Sequence, residues 1–303
     1  MNKSFTLIEI LVVIVVIGII SSFIIVGLSS VSDKANIAKG QVFSNSLRSS
    51  LLMNLVSEWK LDGNANDSWG TNNGTWNGSG GGSYASPSWR TNSECVSGGC
   101  LAFDGTDDYV DCGNNDNLKN ITDAITVSYW AYINAYPTSN YALFVSKGYP
   151  PISGGSWSPG LTNYGSGYFF IRSGDNSTYS YPDVGGWTKI PLKTWIYMTH
   201  VFNGINTYAA TYQNGKIDKE RSDVPFNTIY VSNHHVILGT GSASDRFFNG
   251  LIDDVRIYNQ AIQNSQIQQN YFIGINKLYK NKRIVLSEFN QKVIKLKNNL
   301  ANY

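Results

Sequence analysis

Hydrophobic and polar positions follow three different periods along this chain. From Ile10 to Ser32 no charged residue occurs, a run of 23. As a helix that run is roughly 35 Å long, enough to cross a hydrocarbon core about 30 Å thick. It exceeds the apolar core of about 7–15 residues found in a secretory signal, and no small-x-small cleavage site follows closely. Apolar residues then recur three and four apart, at Val31, Ala35, Ala38, Val42, Leu51, Leu52 and Leu55, the spacing of one helix face. The pattern predicts one long helix over 5–56, with a membrane-spanning part at about 7–28, ending before Glu58.

The period then changes. Asp62 to Ser88 is dominated by Gly, Asn, Ser, Asp and Trp, the chemistry of turns. From Cys100 onward, short alternating runs predict strands: 101–103, 109–111, 126–133, 141–146, 168–171, 195–202, 208–212, 236–239 and 248–258. In 126–133 the alternation places Val127, Tyr129, Ala131 and Ile133 on one face. Asp104 to Asp108 reads as the turn of a hairpin joining 101–103 to 109–111. Asn214-Gly215 is the strongest two-residue hairpin signal in the chain. About a dozen such strands imply an antiparallel sandwich. Near the end, Leu286, Phe289, Val293, Leu296 and Leu300 step by threes and fours, an amphipathic helical stripe. Seven basic side chains from Lys277 to Lys297 surround it against one acidic residue, Glu288. Three readings stay open for this tail: packing on the head or first helix, lying on an anionic membrane or cell-wall surface, or loose order.

Composition narrows the class. Charged residues are only 15% while aromatics are 13%, with 29 glycines, a balance that favours a β-rich extracellular domain over a helical one. A net charge of +2 gives no global signal for nucleic acid. Three cysteines leave one over. The short loop between Cys95 and Cys100 favours their pairing, with Cys100–Cys112 across the expected hairpin as the rival. The five glutamates, Glu9, Glu58, Glu94, Glu220 and Glu288, are all more than ten residues apart. No strand can therefore present the glutamate pair of a retaining glycosidase. Asp253-Asp254 would point to opposite faces of a strand, as would His234-His235, which read as turn or edge residues. No catalytic set emerges.

Ser4-Phe5-Thr6-Leu7-Ile8-Glu9, with Lys3 before it, resembles the amino terminus of type IV prepilins and pseudopilins. The resemblance implies cleavage by a prepilin peptidase between Ser4 and Phe5 and methylation of the new terminus. Residues 1–4 would be the leader, with Ser4 where the family usually has Gly. Glu9, a carboxylate that would be costly in lipid unless paired, would meet the amino terminus of a neighbouring pilin-like subunit. The implied location is the cell membrane, single-pass with the head outside, or a pilus-like filament.

A second resemblance covers about residues 57–272. Leu61 to Ser68 with Asn73-Gly74-Thr75, Leu101 to Gly105, Thr126 to Trp130 and Gly250 to Asn259 occur in an order similar to that of laminin-G-like, concanavalin A-like jelly rolls. In that family an early-loop Asp and a late-strand Asp approach each other around calcium; carried over, these are Asp67 and Asp253. Loop tryptophans Trp69, Trp76, Trp89, Trp157 and Trp187 are candidates for stacking on sugars. The expected architecture is mainly β: a jelly-roll head at 57–272, carried on a pilin-like transmembrane helix and followed by a basic amphipathic helix at 273–303. The expected function is non-catalytic recognition of an extracellular glycan or protein ligand. The alternatives are a surface-tethered hydrolase and a structural minor pilin.

Overall fold

A computed structural model of the chain describes residues 54–78, 88–148, 154–176, 179–180, 188–241 and 246–300, with side chains up to Leu296. The leader, the cleavage site at Ser4 and Phe5, Glu9 and the expected membrane span lie outside the described residues. Among those described, no helix is long and apolar enough to cross a membrane.

The strands are, in chain order, β1 (Leu55–Trp59), β2 (Thr75–Asn77), β3 (Ser88–Thr91), β4 (Gly99–Asp104) and β5 (Tyr109–Asp111). After a single helical turn, α1 (Asp116–Lys119), come β6 (Ala124–Ile133), β7 (Tyr141–Leu143), β8 (Val145–Lys147), β9 (Trp157–Thr162), β10 (Gly167–Arg172) and β11 (Tyr179–Ser180). The set closes with β12 (Trp195–Asn203), β13 (Tyr208–Gln213), β14 (Lys216–Arg221), β15 (Val236–Leu238) and β16 (Asn249–Tyr258). Two helices follow, α2 (Asn264–Lys280) and α3 (Leu286–Leu300).

Sheet I runs β14-β13-β12-β6-β16-β4-β3, with β1 also on β16, and sheet II runs β11-β10-β9-β8-β15-β5-β2, with β7 on β9. All described pairings are antiparallel, so the fold is the expected mainly β sandwich. Alternation explains which face turns inward. Ile125, Val127, Tyr129, Ala131 and Ile133 of β6 meet Val110, Val145, Phe169, Ile171 and Val236 of sheet II in one core. His200 is buried there between Tyr129, 2.9 Å away, and Thr211, 3.1 Å away. Burial pushes its imidazole down to about 3, so it is a neutral part of the core. The β13–β14 hairpin turns on Asn214 (φ 52°) and Gly215 (φ 76°), two left-handed residues as the Asn-Gly signal requires.

Four expectations change. Leu55 and Val56 are strand, not the end of a helix: β16 offers a free edge beyond β4, and β1 completes it from Leu55↔Tyr258 to Trp59↔Val255. Asp104 to Asp108 is no hairpin turn. β4 pairs with β16 and β3, whereas β5 pairs with β15 and β2, so the loop carries the chain from one sheet to the other. Its aspartates build the corner: Asp104 Oδ1 accepts Thr106 N–H at 2.7 Å and Asp108 Oδ2 accepts Asp104 N–H at 2.9 Å. The rival Cys100–Cys112 pairing thereby loses its geometry; Cys95 and Cys100 form the disulfide and Cys112 is a buried thiol.

The third and fourth changes concern the end of the chain. The expected boundary at 272/273 falls inside α2, the helix that follows β16. Ile267, Tyr271, Gly274, Ile275 and Leu278 keep one stripe buried through its length. That stripe covers the outer face of sheet I, where Tyr271 stacks on Trp130 at 5.9 Å. Gly274 is obligatory: a Cβ there would lie 2.1 Å from Trp130 Cζ2. The tail helix α3 packs back on α2, with Phe289 stacked on Tyr279 at 5.0 Å and Leu296 buried. Its expected stripe is only partly used, since Leu286 stays exposed.

Candidate functional site

The two carboxylates assigned to calcium occupy separate settings. Asp67 Oδ1 accepts the N–H groups of Glu58, Trp69 and Gly70 at 3.0, 3.0 and 2.9 Å, and Oδ2 accepts that of Asn72 at 3.1 Å. A carboxylate wrapped by four N–H donors is an anion tied into a turn. Asp253 sits on β16, where a register shift begins that runs to Arg256, and Asp254 there has φ +50°. This bulge breaks the simple alternation expected for the pair. Asp253 Oδ2 accepts Val96 and Ser97 N–H, at 2.9 and 3.1 Å, from the disulfide loop. Burial, with the Asp254 charge beside it, pushes the Asp253 carboxyl well above the usual range. Asp67 and Asp253 are thus engaged by backbone donors of different loops, whereas a calcium site gathers carboxylate and carbonyl oxygens around one ion.

Asp254 is instead an ion-pair centre. Its Oδ2 takes Lys277 Nζ of α2 at 2.9 Å and its Oδ1 lies 3.6 Å from Arg256 Nη2. Arg256 Nε in turn donates to Glu58 Oε1 of β1 at 2.7 Å. Burial alone would raise both acids, but Arg256 holds Glu58 down, and Arg256 with Lys277 holds Asp254 down. The network fastens β1, β16 and α2 together.

The open surface lies on sheet II. Val110, Val236 and Leu238 point into the core, so Tyr109, Asp111 and Ile237, one residue out of phase, point away from it. They floor a cleft of about 480 Å³, walled by His235, Thr240 and Phe247. Asp111 is clasped by His235 Nδ1, 2.8 Å from Oδ1 and 2.9 Å from Oδ2. Thr240 Oγ1 is buried with no hydrogen-bond partner among the described residues, and the Thr240 carbonyl accepts Ser146 Oγ–H at 2.7 Å. The cleft thus combines two aromatic rings with a hydrogen-bonded carboxylate and imidazole, the mixture that holds a polar ligand with an apolar face. Further along the same face, Tyr141, Tyr168 and Phe170 pack together, with 4.4 Å between Tyr168 and Phe170.

None of these cleft residues stood out in the sequence as a site. Tyr109 and Asp111 read only as a strand, and His235 as a turn residue. The available signal was the i, i+2 placement of an aromatic and an acid on one face. The tryptophans proved mixed. Trp157 is core, Trp76 and Trp89 pack against the core, Trp187 lies outside the described residues, and Trp69 is 45% exposed.

Comparison with known proteins agrees with this architecture. The family model described as the concanavalin A-like lectin/glucanases superfamily matches residues 104–268, more than half of the chain. That of the prokaryotic N-terminal methylation motif matches residues 1–25. No curated protein matches in sequence. Among solved structures, domain 4 of AbnA, an extracellular GH43 arabinanase from Geobacillus stearothermophilus solved with arabinotriose, is 20% identical with a TM-score of 0.54. The match covers 71% of this chain and 97% of that domain. The binding domain of Paraclostridial Mosquitocidal Protein 1 is 14% identical over 75% of this chain and 53% of that one, with a TM-score of 0.56. The botulinum neurotoxin serotype G binding domain is 14% identical over 73% and 51%, with a TM-score of 0.54. The chain spans about half the length of these two toxin binding domains, and at such identities the likeness is one of fold. With two facing antiparallel sheets and this match, the chain belongs to the concanavalin A-like lectin/glucanase superfamily, with a prepilin-type methylation motif at its amino terminus.

Proposed function

We propose that this protein is a pilin-like surface subunit whose sandwich head binds a saccharide outside the cell without altering it. The observation that carries the reading is the sheet II cleft, where Tyr109 and Phe247 flank the Asp111–His235 pair. Rings of this kind stack on the C–H faces of sugars while carboxylate and imidazole meet their hydroxyl groups. The arabinanase domain of the same fold was solved with arabinotriose, which supports a saccharide over other polar ligands. The absence of a glutamate pair supports binding over hydrolysis. Glu58, for its part, is committed to Arg256.

The methylation motif supports the mode of display. A prepilin peptidase would cut between Ser4 and Phe5, and Glu9 would pair with the amino terminus of the next subunit within the membrane or a filament. Repetition of the head then raises avidity above the affinity of one cleft. The test is retention of the purified chain on a panel of insoluble polysaccharides, with the wash assayed for reducing ends. Wild type is expected to be retained on some members with no sugar released, and Tyr109→Ala and Asp111→Ala to be lost from them. Released reducing ends would make the head a hydrolase, and retention untouched by both substitutions would remove the cleft.

A further inference from the structure

A second pocket of about 410 Å³ opens where the chain enters the head. Its floor is apolar, made by Leu55, Val56 and Ile121, all buried. Its wall is Trp69, the most exposed indole among the described tryptophans. Its rim carries the side chains of Asn117, Asn120 and Asn259, all exposed. None of these three amides hydrogen-bonds to another described residue, nor does the Trp69 indole N–H. Three amides supply both donors and acceptors, and the indole adds a donor beside a large flat face.

The ring is also held in place. Asp67 Oδ1 accepts the backbone N–H groups of Trp69 and Gly70, which fixes the turn beneath the indole. Gly70 is needed at that point, because a Cβ would lie 2.9 Å from the Val56 carbonyl oxygen. Asp67 is therefore a positioning residue for Trp69. The single charged side chain on the rim, Asp116, is acidic, so the pocket suits an uncharged ligand and opposes an anionic one.

We propose that the Trp69 pocket is a second saccharide site, taking neutral sugar units stacked on the indole and bonded through their hydroxyls to Asn117, Asn120 and Asn259. It shares no residue with the sheet II cleft, so each site stands or falls separately. Two sites on one head would bind a branched or long glycan more tightly than either alone.

The experiment uses the full chain in detergent on an array of neutral and uronic-acid-bearing oligosaccharides, comparing wild type, Trp69→Ala, Trp69→Phe and Tyr109→Ala. Equal thermal midpoints confirm that the exposed substitution leaves the fold intact. Trp69→Ala is expected to weaken binding to a subset of neutral glycans about tenfold, or 1.4 kcal/mol. Trp69→Phe should retain most of it, and the glycans that Tyr109→Ala weakens should form a different subset. No Trp69-dependent glycan, or dependence confined to the uronic-acid members, overturns the proposal. So does a Trp69→Ala chain that binds every glycan normally but no longer self-associates, which would assign the pocket to a neighbouring copy.

Discussion

On sheet I the face turned away from the core carries Thr126, Ser128 and Trp130; on sheet II the corresponding face carries Tyr109, Asp111 and Ile237. Both sets arise from the same alternation along a strand. The first set is wholly buried, because α2 lies over it. The second is only half-buried and borders a cleft. Burial dictates the company a charge must keep. Asp254, under α2, is locked between Lys277 and Arg256, whereas Asp111 is satisfied by one half-exposed histidine. A face that has been covered spends its polar groups on stability. A face left open keeps them exposed to solvent.

Paired substitutions test this contrast, and aromatic truncation should separate the faces most. Trp130→Ala removes the ring that receives both Tyr271 and Gly274, and is expected to cost about 3–5 kcal/mol in urea unfolding of the purified chain. Tyr109→Ala should stay within about 0.5 kcal/mol while removing retention on the polysaccharides held by the sheet II cleft. Similar stability losses for the two would erase the distinction.

Removing a carboxylate should come next. Asp254→Asn leaves Lys277 and Arg256 facing an uncharged group and is expected to cost about 3 kcal/mol. Asp111→Asn, beside an exposed histidine, should cost under about 1 kcal/mol. Thermal or urea midpoints of both variants decide it, and an Asp254→Asn chain as stable as wild type would mean that the network fastens nothing.

The smallest effect is the pH dependence of Asp253. Burial and the Asp254 charge raise its carboxyl well above the ordinary aspartate value in the fold, while in the unfolded chain it ionises near that value. The unfolded state then binds fewer protons, so this group's contribution falls as pH rises toward its folded pKa. Asp253→Asn keeps an oxygen for Val96 and Ser97 N–H and removes the ionisation. The gain of the variant over wild type should be larger at pH 8 than at pH 4. A gain that is equal at both values would show that Asp253 is charged in the fold.

How much of this was legible beforehand varied with the range of the interaction. The Asn214-Gly215 hairpin was readable because two adjacent residues with positive φ set the turn by themselves. The buried face of β6 was readable because alternation is local. The corner at Asp104 to Asp108 was misread, because the same turn chemistry serves a hairpin and a crossing between sheets. What settles it is the pairing of Asp104 with Asn249, 145 residues away. The sheet II cleft was invisible for a like reason: Asp111 and His235 meet across 124 residues.

Taken alone, the sequence determined the methylation motif, the strand-rich class, the order of the jelly-roll segments and the two cysteines whose short loop could close. Those properties depend on residues a few positions apart, or on composition. Only the tertiary structure decided which sheet is covered, which aspartates are spent on backbone and ion pairs, and where a ligand can lie. It did so because α2, written after the last strand, buries one outer face and leaves the other in water. No local pattern in β5 or β6 says which of the two it will be.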